Sequence, residues 1–253
     1  MSNRDSRDRR NVRGIHIGLL LFGAAAVILI SACSMSQQVV LRSDGSGTIA
    51  FRVELKPSLI AAAKDLSAGS GGGAAASNPG QFDIPKIKEA LAKNPSLRVL
   101  SLVSPQEGVI AGSVAFTDIA SLFGSQTELA GSDVVSVSKS AGTTTVRVHI
   151  TRDNFSKIAV VSGLSDNPLY QMFGPEQNAA TTKSDLNQMM GYVLGSGGPA
   201  ALDASSVDIS VTVQGKIISQ QGGTLSGNQV KFAIPLADLL LLAQPLDYAI
   251  TYS

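Results

Sequence analysis

The sequence predicts an α+β fold, a mostly antiparallel sheet built from successive β-hairpins with short helices packed on one face. Two patterns support this prediction. Paired stretches in which apolar and polar residues alternate are separated by turn residues, as in half-buried hairpins. Between the pairs lie segments in which apolar residues recur three or four positions apart, as in amphipathic helices. A hairpin followed by a helix is expected four times, beginning near residues 37, 97, 134 and 205.

The first unit joins a clear hairpin pattern to a helix and a loop. Ile49, Phe51 and Val53 alternate with Ala, Arg and Glu after the turn sequence Asp44-Gly45-Ser46-Gly47, which favours a tight hairpin. Gly, Ala and Ser dominate residues 67–80, which favours a flexible loop. The expected segments are a hairpin at Gln37–Leu55, a helix at Pro57–Leu66 and this loop at 67–80.

The second and third units repeat the pattern. Asp83 is the expected N-cap of a helix with Pro85 in its first turn. Val135 and Val137 alternate with serines, which is typical of a half-buried strand. The expected segments are a helix at Asp83–Lys93, a hairpin of Arg98–Ser104 and Gly108–Phe116, a helical turn at Ile119–Phe123, and a hairpin of Val135–Lys139 and Thr144–Ile150.

Helices are expected at Thr151–Ser162, Pro168–Phe173 and Thr182–Leu194, and the last two hold the largest cluster of Met and aromatic residues in the chain. Two interpretations of this cluster stay open. It forms the buried faces of helices that cover the sheet, or it lines an apolar cavity or groove for an acyl chain, since Met adapts to irregular apolar partners. The candidate ligand residues are Leu169, Tyr170, Met172, Phe173, Leu186, Met189, Met190 and Tyr192.

The last unit follows a break at Gly195–Pro199. Val207, Ile209 and Val211 alternate with polar residues, which indicates a strand, and the next strand is expected to complete the fourth hairpin. The expected segments are strands at Val207–Val213, Lys216–Ser219 and Val230–Ile234, a helix at Pro235–Ala243 and a strand at Leu246–Tyr252.

The amino-terminal segment has the three-part pattern of an export signal. Arginines crowd residues 4–13, an apolar run fills Ile17–Ile30, and small residues lead to Cys33. The sequence Ile30-Ser31-Ala32-Cys33 resembles the lipobox of bacterial lipoproteins. This resemblance implies that residues 1–32 are a signal peptide and that cleavage occurs before Cys33. It also implies a diacylglyceryl thioether on the Cys33 sulfur.

Two alternatives compete with lipidation, an uncleaved transmembrane helix and an ordinary secretory signal that leaves a free thiol. The apolar run from Ile17 to Ile30 has fourteen residues, whereas a spanning helix needs about 20. Cys33 is the only cysteine of the chain, so an exported protein would have no disulfide partner for it. Both observations favour Cys33 as an acyl acceptor.

The spacing after Cys33 predicts a protein that stays close to the bilayer. Ser34–Gln38 is expected to be the whole tether of a single domain at 39–253, and five extended residues reach at most roughly 20 Å. The expected location is therefore the bacterial cell envelope, with the domain anchored to a membrane on its extracytoplasmic side.

Few residues are suited to catalysis. His149 is the only histidine after the leader, it lies in a predicted strand, and no Gly-x-Ser-x-Gly sequence presents a nucleophile. We expect its ring to be satisfied by a neighbouring side chain. Clusters of His and Cys that would predict a zinc site are absent from the sequence. A non-enzymatic protein without a cofactor is expected, and an unrecognised hydrolase is the lesser alternative.

Charge and composition restrict the expected partners. Residues 33–253 carry fifteen Lys and Arg against seventeen Asp and Glu, and the chain has no Trp, so a nucleic-acid partner is not expected. The expected partners are a membrane, through the anchor at Cys33, and a lipid or an envelope protein. The alternative is a structural or assembly component of the envelope with no small ligand.

Two segments resemble LppM-type bacterial lipoprotein domains. They are VVLRSDGSGTIAFRVEL at 39–55 and VDISVTVQGKIISQQGGTLSGNQVKFAIPLADLL at 207–240. The resemblance implies a membrane-anchored α+β domain that contacts lipids or glycolipids. The long helical segment at 152–194 departs from that pattern, and no binding residue is carried over.

Overall fold

The computed structural model describes residues 33–57, 60–61, 81–124, 132–162, 165 and 168–253. The leader at 1–32, the loop at 67–80 and most of the helix predicted at Pro57–Leu66 lie outside the described residues. Within the described ranges the predicted α+β class is confirmed.

The strands and helices alternate along the chain much as the sequence predicts. The strands are β1 (Cys33–Leu41), β2 (Gly47–Leu55), β3 (Leu97–Gln106), β4 (Val109–Phe116), β5 (Val135–Ser140), β6 (Thr143–Ile150), β7 (Ser206–Val213), β8 (Ile217–Gln221), β9 (Thr224–Ser226), β10 (Gln229–Pro235) and β11 (Leu246–Tyr252). The helices are α1 (Ile84–Ala92), α2 (Ile119–Gly124), α3 (Arg152–Ser162), α4 (Pro168–Phe173), α5 (Lys183–Leu194), α6 (Gly198–Asp203) and α7 (Leu236–Leu241).

The strands form two sheets rather than the one that the sequence predicts. The larger sheet has the order β3-β4-β2-β1-β7-β10-β9, and the smaller sheet has the order β5-β6-β11-β8. Neighbouring strands are antiparallel except for β1 and β7, which are parallel. The three hairpins β1–β2, β3–β4 and β5–β6 are confirmed.

The predicted fourth hairpin is wrong. Both edges of β7 are already occupied, by β1 on one side and β10 on the other, so β8 cannot pair with it. The chain instead crosses to the smaller sheet, where β8 pairs with β11. Gly215 permits this crossing, because a Cβ at this position would collide with the carbonyl oxygen of Ser253.

The predicted tether also needs correction, because the structure places Ser34–Gln38 within β1. Met35 pairs with Val53 on one side and Val207 on the other, and its side chain is only 1% exposed. Gln37 is buried on the same face. The polar composition of these residues suggests a linker, but every second side chain faces the core. No flexible linker therefore separates Cys33 from the folded domain.

The larger sheet has one buried face and one exposed face. Phe51 and Val53 are buried on the inner face, whereas Ser36, Gln38 and Arg52 are exposed on the other. Apolar side chains from α1, α3, α4, α5, α6 and α7 join the same core cluster as the inner face. The helices therefore share one hydrophobic core with the inner face of this sheet.

The strand directions define two ends of the molecule. At the first, named the Cys33 end, β1 begins at Cys33, β7 begins at Ser206 and β10 ends at Pro235. At the opposite end, named the Ser253 end, β1 ends at Leu41, and the N–H of Gln214 donates to the carbonyl oxygen of Leu41 at 2.8 Å. Ser253, which follows β11, exchanges backbone hydrogen bonds with Lys216 there.

Among the helices of the described ranges, none combines the length and the apolar character needed to cross a membrane.

Candidate functional site: a cavity between the two sheets

An apolar cavity of about 90 Å³ lies between the inner faces of the two sheets. Side chains of β1, β7 and β10 approach it from the larger sheet, and side chains of β6 and β11 approach it from the smaller one. Its lining residues are Gln37, Val39, Leu41, Ile49, Ile119, Leu122, Phe123, Val146, Val148, Ile209, Val211, Phe232, Ile234, Tyr248, Ala249 and Ile250.

The cavity exists because the two sheets do not meet completely. Val39 and Ile209 sit on the inner face of adjacent central strands, where apolar side chains are normally buried, yet both are only half-buried. Val146 and Val148 face them from β6 and are half-buried as well. Apolar surface is therefore left without packing partners at the centre of the fold, which is energetically unfavourable unless something fills the space.

One side of the cavity is closed by α2, which connects the larger sheet to the smaller one and contributes Ile119, Leu122 and Phe123. Asp118 precedes the helix and accepts a hydrogen bond from the Ser121 N–H at 3.0 Å, as an N-cap does. Burial acts to raise the pKa of Asp118, but hydrogen bonds from Lys139 and Ser121 outweigh this effect and lower its pKa below the usual value.

Another part of the cavity wall is formed by Phe232 of β10 and Tyr248 of β11. Phe232 and Tyr248 meet edge to face, with ring centroids 5.4 Å apart and an interplanar angle of 75°. Gly223 lies against this pair, since a Cβ there would stand 2.7 Å from Phe232 Cε1 and 2.5 Å from Val230 Cγ1. Burial, with a smaller contribution from Asp238, raises the pKa of Tyr248.

The chemistry of the cavity fits hydrocarbon. Its lining consists of aliphatic and aromatic side chains, with the buried Gln37 and the Tyr248 hydroxyl as its polar members. An engineered apolar cavity of about 150 Å³ stays dry and binds benzene. The smaller cavity here has room for a short stretch of alkyl chain. No carboxylate, histidine or lysine is among its lining residues, so the cavity has no acid–base pair.

The eight residues predicted as an apolar ligand cluster do not gather at this cavity. None of them is among its lining residues. Phe173, Leu186 and Met190 are buried in the core, whereas Met172 and Tyr192 are exposed on the surface. Met189 is half-buried, and Leu169 lies in α4 with its side chain outside the described residues. The cluster is therefore divided between core and surface, because α4 and α5 each turn one face toward the hydrophobic core and the other toward solvent.

Tyr170, the remaining member of the cluster, is half-buried and has local partners. Its hydroxyl donates to Oε1 of Glu176 at 2.6 Å, and its ring stacks on Phe155 with centroids 6.2 Å apart. Burial, followed by the interaction with Glu176, raises the pKa of Tyr170. These contacts tie α4 to α3 and to the turn after α4, which is a structural role.

The cavity itself was not predictable from the local pattern. Ile209 alternates with polar neighbours in the same way as fully buried strand residues do, and Val39 lies in an apolar run typical of a buried strand. The signal that distinguishes them is the separation of the two sheets, which depends on residues distant in sequence.

His149 has the neighbour that the sequence analysis expects, and this prediction is confirmed. Its Nδ1 lies 2.8 Å from Oδ1 of Asp247 on the paired strand β11, and Asp247 also accepts a 2.7 Å hydrogen bond from Arg147. The hydrogen bond from Arg147, followed by that of His149, lowers the pKa of Asp247. Neither His149 nor Asp247 lines the cavity.

The predicted lipidation site and the possibility of a metal site can also be compared with the structure. Cys33 begins β1 and pairs with Leu55 of β2. Its lipidation stays a prediction. Across the described part of the chain, His, Cys, Asp and Glu side chains do not form a group of three that could hold a metal ion.

Comparison with known proteins gives one distant likeness. No protein-family model matches the chain, and no curated protein matches it. Among solved structures, the NMR structure of the folded domain of the LppM protein from Mycobacterium tuberculosis is similar, with 10% sequence identity and a TM-score of 0.38. The match covers 88% of this chain and 90% of that domain.

Proposed function

We propose that this protein is a non-enzymatic lipoprotein of the bacterial cell envelope that binds the alkyl chain of a lipid in the cavity between its two sheets. The single observation that supports ligand binding is the half-buried apolar surface of Val39 and Ile209 at the centre of the fold. Anchoring rests on the sequence that ends at Cys33, with its arginine-rich start, apolar run and lipobox.

The cavity volume limits how much of a ligand is buried. A volume of about 90 Å³ accommodates a few carbon atoms of a chain, and each buried methylene contributes about 0.8 kcal/mol. The rest of the ligand remains outside the cavity. This arrangement favours reversible binding over permanent retention, as expected of a protein that receives or presents a lipid.

Ligand binding is tested by filling the cavity. We expect a fluorescent fatty acid to bind the wild-type chain saturably, and Val39→Phe to weaken binding by about tenfold or more because the ring occupies the space of the alkyl chain. The matched control is Gln38→Phe, which places the same ring on the exposed face of β1. If Val39→Phe has a much lower melting temperature than the wild type, Ile209→Phe replaces it as the test variant, because it fills the cavity from β7. Unchanged binding by both filled variants would exclude the cavity as the ligand site.

The anchor is tested separately by mass spectrometry of Cys33 and by membrane fractionation. We expect the mature protein to begin at acylated Cys33 and to leave the membrane with detergent rather than salt, because two or three acyl chains hold durably. The Cys33→Ser variant should lose the acyl mass. A mature wild-type protein that retains residues 1–32, or that fractionates as soluble, would contradict the lipoprotein assignment.

A partner protein of the envelope is the second candidate, and the edge strand β3 favours it. Among the strands that the structure describes, β3 pairs only with β4, and it exposes Leu100 and Val103. Exposed apolar side chains on an open strand edge are a feature of sites where another strand is added. Cross-linking from Val103 to a specific envelope protein would support this candidate.

A further inference from the structure

We infer that the protein lies on the membrane with its Cys33 end, so that α3, α4 and α5 contact the lipid surface and the Ser253 end points away from it. This inference rests on the proposed lipid anchor and adds an orientation to it. Three properties of the fold support it: the absence of a tether, the position of the helices, and the apolar side chains that these helices expose.

The first property is the absence of slack after Cys33. Cys33 is the first residue of β1, and Met35 is already buried between β2 and β7. A diacylglyceryl group on Cys33 is thus attached to the end of a central strand. Because acyl chains must reach the hydrocarbon of the bilayer, the end of the sheet that carries Cys33 has to rest on the membrane surface.

The second property is that the helical segments are joined to the strands at this same end. β6 ends at Ile150 beside the start of β11, and the chain then passes through α3, α4, α5 and α6 before β7 begins at Ser206. α7 directly follows the end of β10, and the N–H of Leu236 donates to the carbonyl oxygen of Ser205 at 3.0 Å. Every one of these connections begins and ends at the Cys33 end.

The third property is the exposed apolar surface of the helices. Val160 of α3 is 54% exposed, Met172 of α4 is 48% exposed and Tyr192 of α5 is 81% exposed. Tyrosine is enriched where one end of a side chain is apolar and the other is wet, as at a membrane interface. Such exposed side chains, on helices that are joined to the strands at the Cys33 end of a lipid-anchored domain, fit contact with a bilayer.

The charges in this region favour contact through apolar side chains rather than through attraction to anionic headgroups. Residues 152–203 carry three Lys and Arg against five Asp and Glu. A segment with this balance gains nothing from a negative surface potential. The expected contact is therefore independent of the fraction of anionic lipid.

The orientation also places the cavity above the membrane surface. Gln37 is the lining residue nearest to Cys33 along β1, and four residues of strand span about 13 Å. α2, which closes one side of the cavity, follows the Ser253 end of β4. The cavity thus lies outside the bilayer and does not open directly into its hydrocarbon core.

The test uses tryptophan, since the chain contains none. Tyr192→Trp and Met172→Trp place a single Trp on the helices. Leu225→Trp places one on β9, whose exposed Leu225 pairs with Val230 toward the Ser253 end. Each full-length chain is processed in a lipidating bacterial host and reconstituted into phosphatidylcholine vesicles, with or without bromine on the acyl chains.

Brominated lipid should reduce the fluorescence of the two helix variants several-fold more than that of Leu225→Trp. The difference should persist when anionic lipid is added. Equal quenching at both ends, or quenching of Leu225→Trp alone, would overturn the orientation even though the protein floats with the vesicles. Failure to float would overturn the lipid anchor itself, and the orientation with it.

Discussion

Nζ of Lys139 lies 2.8 Å from Oδ1 of Asp118, so a residue of β5 in the smaller sheet holds the first turn of α2. On the other side of this turn, the N–H of Ile119 donates to the carbonyl oxygen of Gly45, between β1 and β2 of the larger sheet. The start of α2 is thus fixed to both sheets, and the cavity between them depends on this junction for one of its sides.

The first prediction concerns the pH dependence of this ion pair. The pKa of Asp118 lies below its usual 3.8 in the folded protein, so its contribution to stability is lost as pH falls through the folded value. The hydrogen bond to Asp118 raises the pKa of Lys139 above 10.5, so its contribution is lost as pH rises through the folded value. The pair therefore stabilises the fold between about pH 4 and about pH 10.

We expect Lys139→Ala to lower the melting temperature by a few degrees at pH 7, and by progressively less below pH 4. The exposed helix pair of Lys93 with Glu89 supplies a control, since Lys93→Ala should have a smaller effect at the same pH. Thermal unfolding followed by circular dichroism across pH 2–10 measures both. A Lys139→Ala difference that stays constant down to pH 2 would show that its charge is not the cause.

The second prediction concerns the glycine beneath the pair. Gly45 has a φ of +90°, and a Cβ there would stand 2.7 Å from Oδ1 of Asp118. Gly45→Ala should therefore cost more than the roughly 1–2 kcal/mol of a left-handed alanine. Gly142→Ala is the matched control, because Gly142 has a φ of +80° and no atom within 4 Å of its Cβ position. If urea unfolding showed the same loss of unfolding free energy for Gly45→Ala and Gly142→Ala, the contact with Asp118 would add nothing to the cost of Gly45→Ala.

The local structure was predictable wherever neighbouring residues determine it. The turn at Ala141-Gly142 joins β5 and β6 with both residues at positive φ, as the sequence suggests. Thr182 begins α5 with a capping box to Asp185, at the predicted residue. By contrast, α6 was missed, because the glycines and Pro199 at its start are typical of a break as well as of a first helical turn.

The pairing of distant strands was not predictable, and the candidate site depends on it. Alternation shows that Val39 and Val211 each face the core, but not that β1 and β7 lie side by side in parallel. The separation of the two sheets is a further tertiary property. Met and aromatic content drew attention to α4 and α5, whereas the unfilled space lies among ordinary aliphatic residues of the strands.

The third prediction concerns Arg152, which ties α3 to the end of α7. Its Nη2 donates to the carbonyl oxygen of Leu241 at 2.8 Å, and a longer contact of 3.4 Å reaches the carbonyl oxygen of Leu242. Arg152→Met keeps the aliphatic length but leaves these acceptors without the donor, so we expect a loss of about 1.5–3 kcal/mol. The stability of Arg152→Lys should lie between that of the wild type and that of Arg152→Met, because an ammonium group replaces the planar guanidinium and its paired donors.

The control for Arg152 is Arg147→Met, which removes a half-exposed guanidinium from Asp247. This change should cost less than about 1 kcal/mol. Denaturant unfolding at neutral pH compares the variants. If Arg152→Met were no more damaging than Arg147→Met, the contacts with the end of α7 would contribute little to stability.

The fourth prediction concerns Asn178, which is only 1% exposed and whose Nδ2 donates to the carbonyl oxygens of Phe173 and Leu240 at 2.8 and 3.0 Å. Asn178→Ala should cost about 1–3 kcal/mol, because two acceptors lose their donor. Asn178→Asp should be worse, since it turns an acceptor toward two carbonyl oxygens, and burial should raise the pKa of the new carboxyl group.

A buried carboxyl with a raised pKa destabilises the fold increasingly as pH rises above the unfolded value of about 3.9. Asn178→Asp should therefore approach Asn178→Ala in stability near pH 3 and fall well below it at pH 7. Gln177→Glu adds the same charge at the exposed neighbouring position and should show no such slope. Melting temperatures of the variants measured between pH 3 and pH 7 test this prediction. If the difference in melting temperature between Asn178→Asp and Asn178→Ala did not change with pH, the side chain would be in contact with water. Its hydrogen bonds would then not hold α4 to α7.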